Sequence, residues 1–207
     1  MLSRSPRASR ALPVALALLA SSVTTRTFAQ RPAEQPDAAH ILHDMEKLPV
    51  VGSVLYIAAH PDDENTKLIA WLANGKKVRT GYLSLTRGDG GQDLLGPELG
   101  DALGIIRTEE LLEARRIDGG EQFFTRASDF GFSKNAKESF EKWGHDAVLS
   151  DMVRVIRTFR PDIIITRFPP TREAGHGHHE ASAILAHEAF DLAGDSTAFP
   201  EQLKQGL

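Results

Sequence analysis

Short apolar runs alternate with amphipathic segments from about residue 50 onward, and this alternation is typical of an α/β protein with a parallel sheet. The segment at 162–168 contains the continuous apolar run Ile163-Ile164-Ile165, which predicts a buried strand that is covered on both of its faces. The other predicted strands are 54–57, 78–85 and 122–124, and the predicted helices are 66–72, 105–117, 146–159 and 181–192.

The first 29 residues have the three parts of an export signal. Arg4, Arg7 and Arg10 form a basic start, and residues 11–20 are an apolar run. Thr27-Phe28-Ala29 then has small residues at the two positions that a signal peptidase reads. The apolar run is shorter than the roughly 20 residues that span a bilayer. We therefore expect an exported protein, periplasmic or extracellular, with no stable membrane insertion after cleavage. Residues 30–49 are expected to be a polar linker, followed by one domain at 50–207.

The first polar cluster, residues 58–64, has the sequence Ala-Ala-His-Pro-Asp-Asp-Glu and follows the strand predicted at 54–57. Ligands bind at the carboxyl ends of strands in open α/β sheets, so this loop is a candidate site. A loop whose Asp residues merely cap the next helix is the alternative. That alternative accounts for Asp62 or Asp63 but gives His60 no role.

A second polar cluster follows the strand predicted at 162–168. His176, His178 and His179 lie at the start of the helix at 181–192, where the helix dipole disfavours protonated imidazole. A solvated histidine-rich loop is the alternative. Both clusters end parallel strands and can therefore meet above one sheet.

Together the clusters offer the ligands of a catalytic metal site. His60, Asp63 and one of the later histidines make a set of two imidazoles and one carboxylate, which leaves a position open for water. Asp62 is adjacent and would accept a proton from that water. The chain has no cysteine, so thiolate ligands are excluded. Zn²⁺ is the expected ion, and Mn²⁺ or Fe²⁺ would also accept these ligands.

Two further residues are candidates for binding a substrate. Asp89 lies in a glycine-rich loop after the strand at 78–85, and it could accept hydrogen bonds from hydroxyl groups. That loop lacks the glycine patterns of nucleotide-binding sites. Arg107 and Glu110 are three residues apart on a helix. They are either a surface ion pair or a substrate-binding arginine with its neighbour, and spacing alone leaves both readings open.

The amino-acid composition says more about which partners the protein can bind than about which reaction it can catalyse. The 207 residues include 41% hydrophobic and 25% charged residues with a formal net charge of −4, as in an ordinary globular protein. A negative net charge gives no reason to expect nucleic acid as a partner. A small-molecule or glycan substrate is expected, and the oligomeric state is left open.

These motifs resemble those of the PIG-L/LmbE family of zinc-dependent N-deacetylases. The family's Ala-His-Pro-Asp-Asp-Glu motif is present at 59–64, its Arg-x-x-Glu helix matches 107–110, and its late His-x-Asp-His element matches 176–179. The resemblance implies a Rossmann-like three-layer sandwich with a mostly parallel sheet. The closing strands of such a domain are missing, so we expect a fold truncated at its C-terminus.

The resemblance also implies roles for individual residues. It assigns zinc to His60, Asp63 and His179, and it makes Asp62 the general base. His176 would steady the oxyanion or help the amine to leave.

Arg107 is implied to contact the substrate. One position departs from the family pattern, because His178 stands where many relatives have Asp.

The expected function is metal-dependent hydrolysis of an amide, which removes an acetyl group from an N-acetylated sugar or a related compound. Metal-activated water would attack the carbonyl while Asp62 takes the proton. The alternatives are a carbohydrate- or metal-binding module without turnover, and an amidase acting on a non-sugar amide. Asp62 favours an enzyme, because metal binding does not require it.

Export gives the first testable prediction. Signal peptidase is expected to cleave directly after Ala29, so that N-terminal sequencing of the exported protein begins at Gln30. An exported protein that still begins at Met1 would contradict this prediction.

Overall fold

The computed structural model describes residues 36–91 and 96–207. The chain divides into a unit of residues 1–37 and a compact unit from Ala38 to Leu207. The predicted signal peptide, and most of the predicted linker before Ala38, lie outside the described residues. Among the residues described, no helix has both the length and the apolar character needed to cross a membrane.

Strands and helices alternate through the compact unit as the sequence predicts. The strands are β1 (Ser53–Ala58), β2 (Arg79–Ser84), β3 (Glu121–Phe124) and β4 (Ile163–Thr166). The helices are α1 (Ala38–Lys47), α2 (Thr66–Ala70), α3 (Asp101–Asp118), α4 (Ala136–Trp143), α5 (His145–Phe159), α6 (Gly177–Ala193) and α7 (Pro200–Leu203).

The four strands form one parallel sheet in the order β3-β2-β1-β4. In the register of the two central strands, Tyr56 of β1 lies opposite Tyr82 of β2. Because all the strands are parallel, their carboxyl ends share one edge of the sheet. The loops that follow β1, β2, β3 and β4 therefore start close together, and both polar clusters begin there.

Helices cover both faces of this sheet. Successive residues of a strand point to opposite sides, so each strand contributes side chains to a core on either face. Leu55 and Ile57 of β1 belong to a core built with α4, α5 and α6. Tyr56 and Ala58 belong to a second core that contains Ile69 of α2 and Leu111 of α3. The predicted three-layer α/β sandwich with a mostly parallel sheet is confirmed.

The strand predicted at 162–168 has both faces covered, because Ile164 packs against one core and Ile165 against the other, but it is not buried as predicted. The strand there is the shorter β4, which lies at the end of the sheet order, and Ile163 is 56% exposed. An uninterrupted apolar run does not distinguish a central strand from an edge strand, because both can be rich in isoleucine. The central, fully buried strand is β1.

The helix predicted at 181–192 is α6, which begins four residues earlier, at Gly177. Two other predicted helices also differ from the observed ones. The helix predicted at 66–72 is a single short α-helix, α2, that continues as a π-helical turn at Trp71–Gly75. Helix α3 begins four residues before its predicted start, after Gly100, and it ends at Gly119 with a left-handed backbone. Neither difference moves the polar clusters from the ends of their strands.

Candidate active site

The backbone of the first polar loop is fixed from beneath by the sheet. After β1 the chain turns at His60 into a short 3₁₀ helix, Pro61–Asp63. The buried hydroxyl of Tyr82 donates a hydrogen bond to the carbonyl of His60, and Thr86 donates through its backbone and its hydroxyl to the carbonyl of Ala59. Residues of and just after the neighbouring strand therefore position the histidine.

Asp63 joins the two polar clusters. One of its carboxylate oxygens, Oδ2, accepts a hydrogen bond of 2.7 Å from the backbone N–H of His60 and lies 3.1 Å from Nδ1 of the same residue. The other, Oδ1, lies 3.4 Å from Nε2 of His179. Burial alone would raise the pKa of Asp63, but its bonds to His179 and His60 outweigh burial and hold the pKa well below its ordinary value.

His179 is held with one ring nitrogen facing Asp63. Its Nδ1–H donates to the carbonyl of Ala174 at 3.2 Å, and its ring stacks on Phe168 with centroids 3.8 Å apart. A histidine that donates from one nitrogen to a backbone carbonyl presents the lone pair of the other, which is the usual arrangement of a metal ligand. Nε2 of His179 is therefore available to an ion beside Asp63.

His176 is the N-cap of α6 and lines the site cavity. Its Nδ1 lies 3.1 Å from the backbone N–H of His178, and its Nε2 lies 3.3 Å from that of Ser133. A neutral imidazole accepts at only one nitrogen, so these two hydrogen bonds are alternatives. Burial, together with His60 and His179, lowers the pKa of His176 to about 4.

Asp62 is next to Asp63 but faces the open cavity. Its side chain is 71% exposed, and Nη2 of Arg107 lies 3.6 Å from its carboxylate. Arg107 therefore faces the first polar loop, where it pairs with Asp62, and no ion pair with Glu110 is found among the described residues. The cavity holds about 390 Å³ and is lined by His60, Asp62, Gly90, Gly91, Arg107, Asp129, Gly131 and His176.

Asp89 is not brought to the histidines. Its carboxylate accepts a hydrogen bond of 2.6 Å from the hydroxyl of Ser128 and one of 3.0 Å from the backbone N–H of Asp129. It lines a neighbouring cavity of about 450 Å³ that also contains Arg87 and Thr108. Substrate binding by Asp89 stays a prediction, and a substrate hydroxyl would have to share its oxygens with these protein donors.

Sequence reasoning missed Asp129, which belongs to the same cluster. Its carboxylate lies 4.0 Å from Nε2 of His60 and 3.8 Å from Nδ1 of His178. Burial raises the pKa of Asp129, while the backbone N–H of Gly131 and the charge of His60 act against this shift. Its position a few residues beyond β3, at the shared edge of the sheet, was the signal that could have revealed it.

Glu64, the last residue of the first motif, has a structural role. It forms an ion pair with the buried guanidinium of Arg115 on α3, which also pairs with Asp118 and donates a hydrogen bond to Gln122. All three charged side chains are nearly buried, so each carboxylate depends on the cation. The ion pair anchors the end of the first polar loop to α3.

The donors suit a divalent ion. Ligand atoms of His60, His176 and His179 lie within 4.8 Å of one another, and so do those of His60, Asp62 and Asp63. The pairings through Asp63 bring the predicted ligands His60, Asp63 and His179 together. Imidazole and carboxylate, without thiolate, are the donors of catalytic zinc sites and also suit Mn²⁺ or Fe²⁺.

A family model described as "PIG-L: GlcNAc-PI de-N-acetylase" matches residues 55–190, from β1 through most of α6. The match includes both polar clusters and the helix that carries Arg107. The chain belongs to the PIG-L family, as its motifs indicated.

Curated relatives with named activities match the same region. The chain is 29% identical over 165 residues to a 1D-myo-inositol 2-acetamido-2-deoxy-alpha-D-glucopyranoside deacetylase of Streptomyces scabiei, which covers 72% of this chain and 51% of the relative. It is 30% identical over 166 residues to a mycothiol S-conjugate amidase of Streptomyces coelicolor, with 72% and 55% covered. The chain thus spans about half the length of the curated relatives that it matches.

Solved structures support the fold. An N,N'-diacetylchitobiose deacetylase from Pyrococcus horikoshii matches with a TM-score of 0.59 at 18% identity, covering 85% of this chain and 67% of the other. A 4-carboxy-2-hydroxymuconate hydratase from Pseudomonas putida matches with a TM-score of 0.53 at 21% identity, covering 70% and 58%. At these identities the similarity shows the fold alone, and proteins of different activity share it.

The Arg115 ion pairs give a prediction about stability. Replacing Arg115 with Met leaves the carboxylates of Glu64 and Asp118 buried without their cation, which should lower the free energy of unfolding by about 3–5 kcal/mol in urea titrations. The control is Arg116→Met, which removes an exposed pair with Glu113 and should cost less than about 1 kcal/mol. Equal effects of the two changes would contradict the anchoring role of Arg115.

The donor cluster gives a prediction about metal content. Purified protein should contain about one divalent ion per chain by elemental analysis, and His60→Ala or His179→Ala should lower that content sharply. His187→Ala, which changes an exposed histidine of α6, is the control and should leave the content unchanged. A folded protein without any bound ion at neutral pH would disprove the site.

Proposed function

We propose that this protein is a metal-dependent hydrolase that removes the acetyl group from an N-acetylated sugar or a related amide. The observation that carries the proposal is the convergence of both polar clusters, through Asp63, at one end of a cavity that Asp62 and Arg107 also line or border. A relative named above is a deacetylase of an N-acetylated sugar by name, and the family model is described by a de-N-acetylation.

His60, Asp63 and His179 would hold the ion, with zinc as the preferred ion and Mn²⁺ or Fe²⁺ as alternatives. When bound, such an ion supplies a Lewis acid that polarises the amide carbonyl and makes water a better nucleophile at neutral pH. Asp63 contributes negative charge to this set. It also fixes both imidazoles, because each of its oxygens lies beside one of them.

Asp62 is placed to act as the general base. Its carboxylate is open to the cavity and is not engaged by the histidines that engage Asp63, so its oxygens can accept a proton from water. The guanidinium of Arg107 lies 3.6 Å from the carboxylate of Asp62 and can orient it toward the cavity. Arg107 also has further N–H groups that could bind an oxygen of the substrate.

His176 lines the same cavity and would serve the other side of the reacting amide. An N–H of its ring can donate a hydrogen bond to the developing oxyanion, or a proton from its ring can reach the departing amine. Either role needs one ring nitrogen of His176 to carry the proton and to give up the backbone N–H that it faces, that of His178 or of Ser133. Asp89 would bind a more distant part of the substrate, in or beside the neighbouring cavity.

Hydrolysis of a non-sugar amide is the second candidate. The similarity to a protein named as a mycothiol S-conjugate amidase favours it, and the open cavity does not by itself select a sugar. A binding module without turnover is less well supported, since a metal site alone needs neither Asp62 nor Arg107. We also propose that the protein works after export, as the N-terminal pattern indicates.

Release of acetate from a panel of N-acetylated sugars tests the proposal. Zinc-loaded protein should release acetate, and protein stripped by a chelator should lose this activity and regain it on reloading. Asp62→Asn should keep its ion, because Asp62 is not among the proposed ligands, yet turnover should fall by roughly 10²–10⁴-fold with the loss of the base.

The neighbouring carboxylate provides the matched control. Asp63→Asn makes the same chemical change one position along the chain, but it should lose ion and activity together, because Asp63 faces both histidines. Near-normal turnover of Asp62→Asn with a full complement of ion would mean that another group is the base. Turnover on non-sugar amides alone would favour the second candidate.

A further inference from the structure

His178 is the most deeply enclosed of the histidines in the site. Its side chain is 0% exposed, and its ring packs against Phe130 and Trp143 with centroid distances of 4.4 Å and 4.6 Å. Such an enclosure disfavours a protonated imidazole, because the charged ring would be buried among apolar side chains, away from solvent. The ring therefore offers one acceptor nitrogen and one donor nitrogen.

The hydrogen bond of this ring goes to His60 and not to His176. Nδ1 of His178 lies 2.9 Å from Nε2 of His60. The hydrogen bond between His178 and His176 instead comes from the backbone N–H of His178. Nε2 of His178 is buried and has no hydrogen-bond partner among the residues described. The packing therefore tolerates an unpaired polar atom, which is unfavourable, in order to place Nδ1 against His60.

The two ring nitrogens of His60 thus have different neighbours. Nδ1 faces the carboxylate of Asp63, beside Nε2 of His179, and Nε2 faces His178. If Nδ1 is to offer its lone pair to an ion, the single proton of neutral His60 must lie on Nε2 and needs an acceptor there. Nδ1 of His178 is the nearest acceptor, since it lies 2.9 Å from Nε2 of His60, whereas the carboxylate of Asp129 lies 4.0 Å from that nitrogen.

We propose that His178 is a positioning residue, which accepts a hydrogen bond from Nε2 of His60 and so keeps Nδ1 of His60 facing Asp63 and His179 as a metal-binding nitrogen. His178 then carries its own proton on Nε2, within the enclosure of aromatic rings, where an N–H has weak π-acceptors. The inference rests on the proposed metal-dependent function. It assigns His178 an effect on the ion that requires no contact with substrate.

Another reading of the same atoms is a second ion site, since ligand atoms of His60, Asp129 and His178 lie within 4.8 Å of one another. An ion at that second site would bind Nε2 of His60, the nitrogen that faces His178. A neutral imidazole has one lone pair, so His60 cannot bind ions at both nitrogens unless it loses its last proton. The positioning role needs no such ionisation, and we therefore favour it.

The test uses a pair of substitutions at His178 in the full chain. His178→Asn keeps an acceptor at the place of Nδ1, because the amide oxygen of Asn stands where that ring nitrogen stands, whereas His178→Leu fills similar space without an acceptor. Zinc affinity, measured by competition with a chelator, should fall by roughly 10–100-fold in the Leu variant and stay close to the parent value in the Asn variant. His187→Asn on the exposed face of α6 is the control.

Two further measurements separate positioning from other roles. The zinc-free Leu variant should melt close to the parent, because the loss of an unpaired buried nitrogen opposes the loss of the acceptor for His60. X-ray absorption of the zinc-loaded Leu variant should show as many imidazole ligands as the parent. One imidazole fewer, two ions per chain in the parent, unchanged affinity in the Leu variant, or equal losses in both variants would each overturn the inference.

Failure of the proposed function gives a different result. A chain that binds zinc with the expected dependence on residue 178, yet releases no acetate from any substrate, loses the proposed activity and keeps the positioning role of His178. A chain that releases acetate with unchanged zinc affinity in the Leu variant keeps the activity and loses the positioning role.

Discussion

The carboxylate of Asp63 is the contact on which the arrangement of the site depends. It lies between His60, on the loop after β1, and His179, on the helix that follows β4, and it is the nearest charged group to both. The two imidazoles are far apart in the sequence, and they come together because β1 pairs directly with β4 and α6 packs against β1. A single buried anion thus joins two loops that are separated by more than a hundred residues.

Such a contact requires a rigid base, and the sheet provides it. Tyr82 reaches from β2 to the backbone of His60, and Arg115 reaches from α3 to Glu64 at the far end of the same short loop. The motif is therefore held at both ends by residues outside it. Between these fixed points, Asp62 is left exposed to the cavity while Asp63 is buried. Adjacent residues of identical chemistry acquire different environments in this way.

The sequence was sufficient to predict the parallel sheet, the α/β sandwich and the meeting of the two polar clusters. Each depends on local patterns, namely strand-like runs followed by polar loops, and on the fact that parallel strands share one carboxyl edge. It was insufficient for the place of β4, because strand order is a long-range property that an apolar run does not encode. It also missed Asp129 and the partner of His178. The contacts of Asp129 depend on how the segment between β3 and α4 folds back over the site, and the irregular sequence of that segment has no period to follow. The contact of His178 with His60 depends on how α6 packs beside the first polar loop.

The backbone of the segment between β3 and α4 comes very close to the rest of the site at two glycines. A side chain at Gly90 would clash with the carbonyl of Asp129, and one at Gly177 would clash with the hydroxyl of Ser133 and the carbonyl of Asn135. Meanwhile Phe132, which is 71% exposed, lies with its ring beside His176 at the rim of the cavity. Because glycine and main chain set the position of this wall, its outward side chains are free to diverge among descendants. New substrate preferences can therefore evolve at the rim without disturbing the chemistry beneath it.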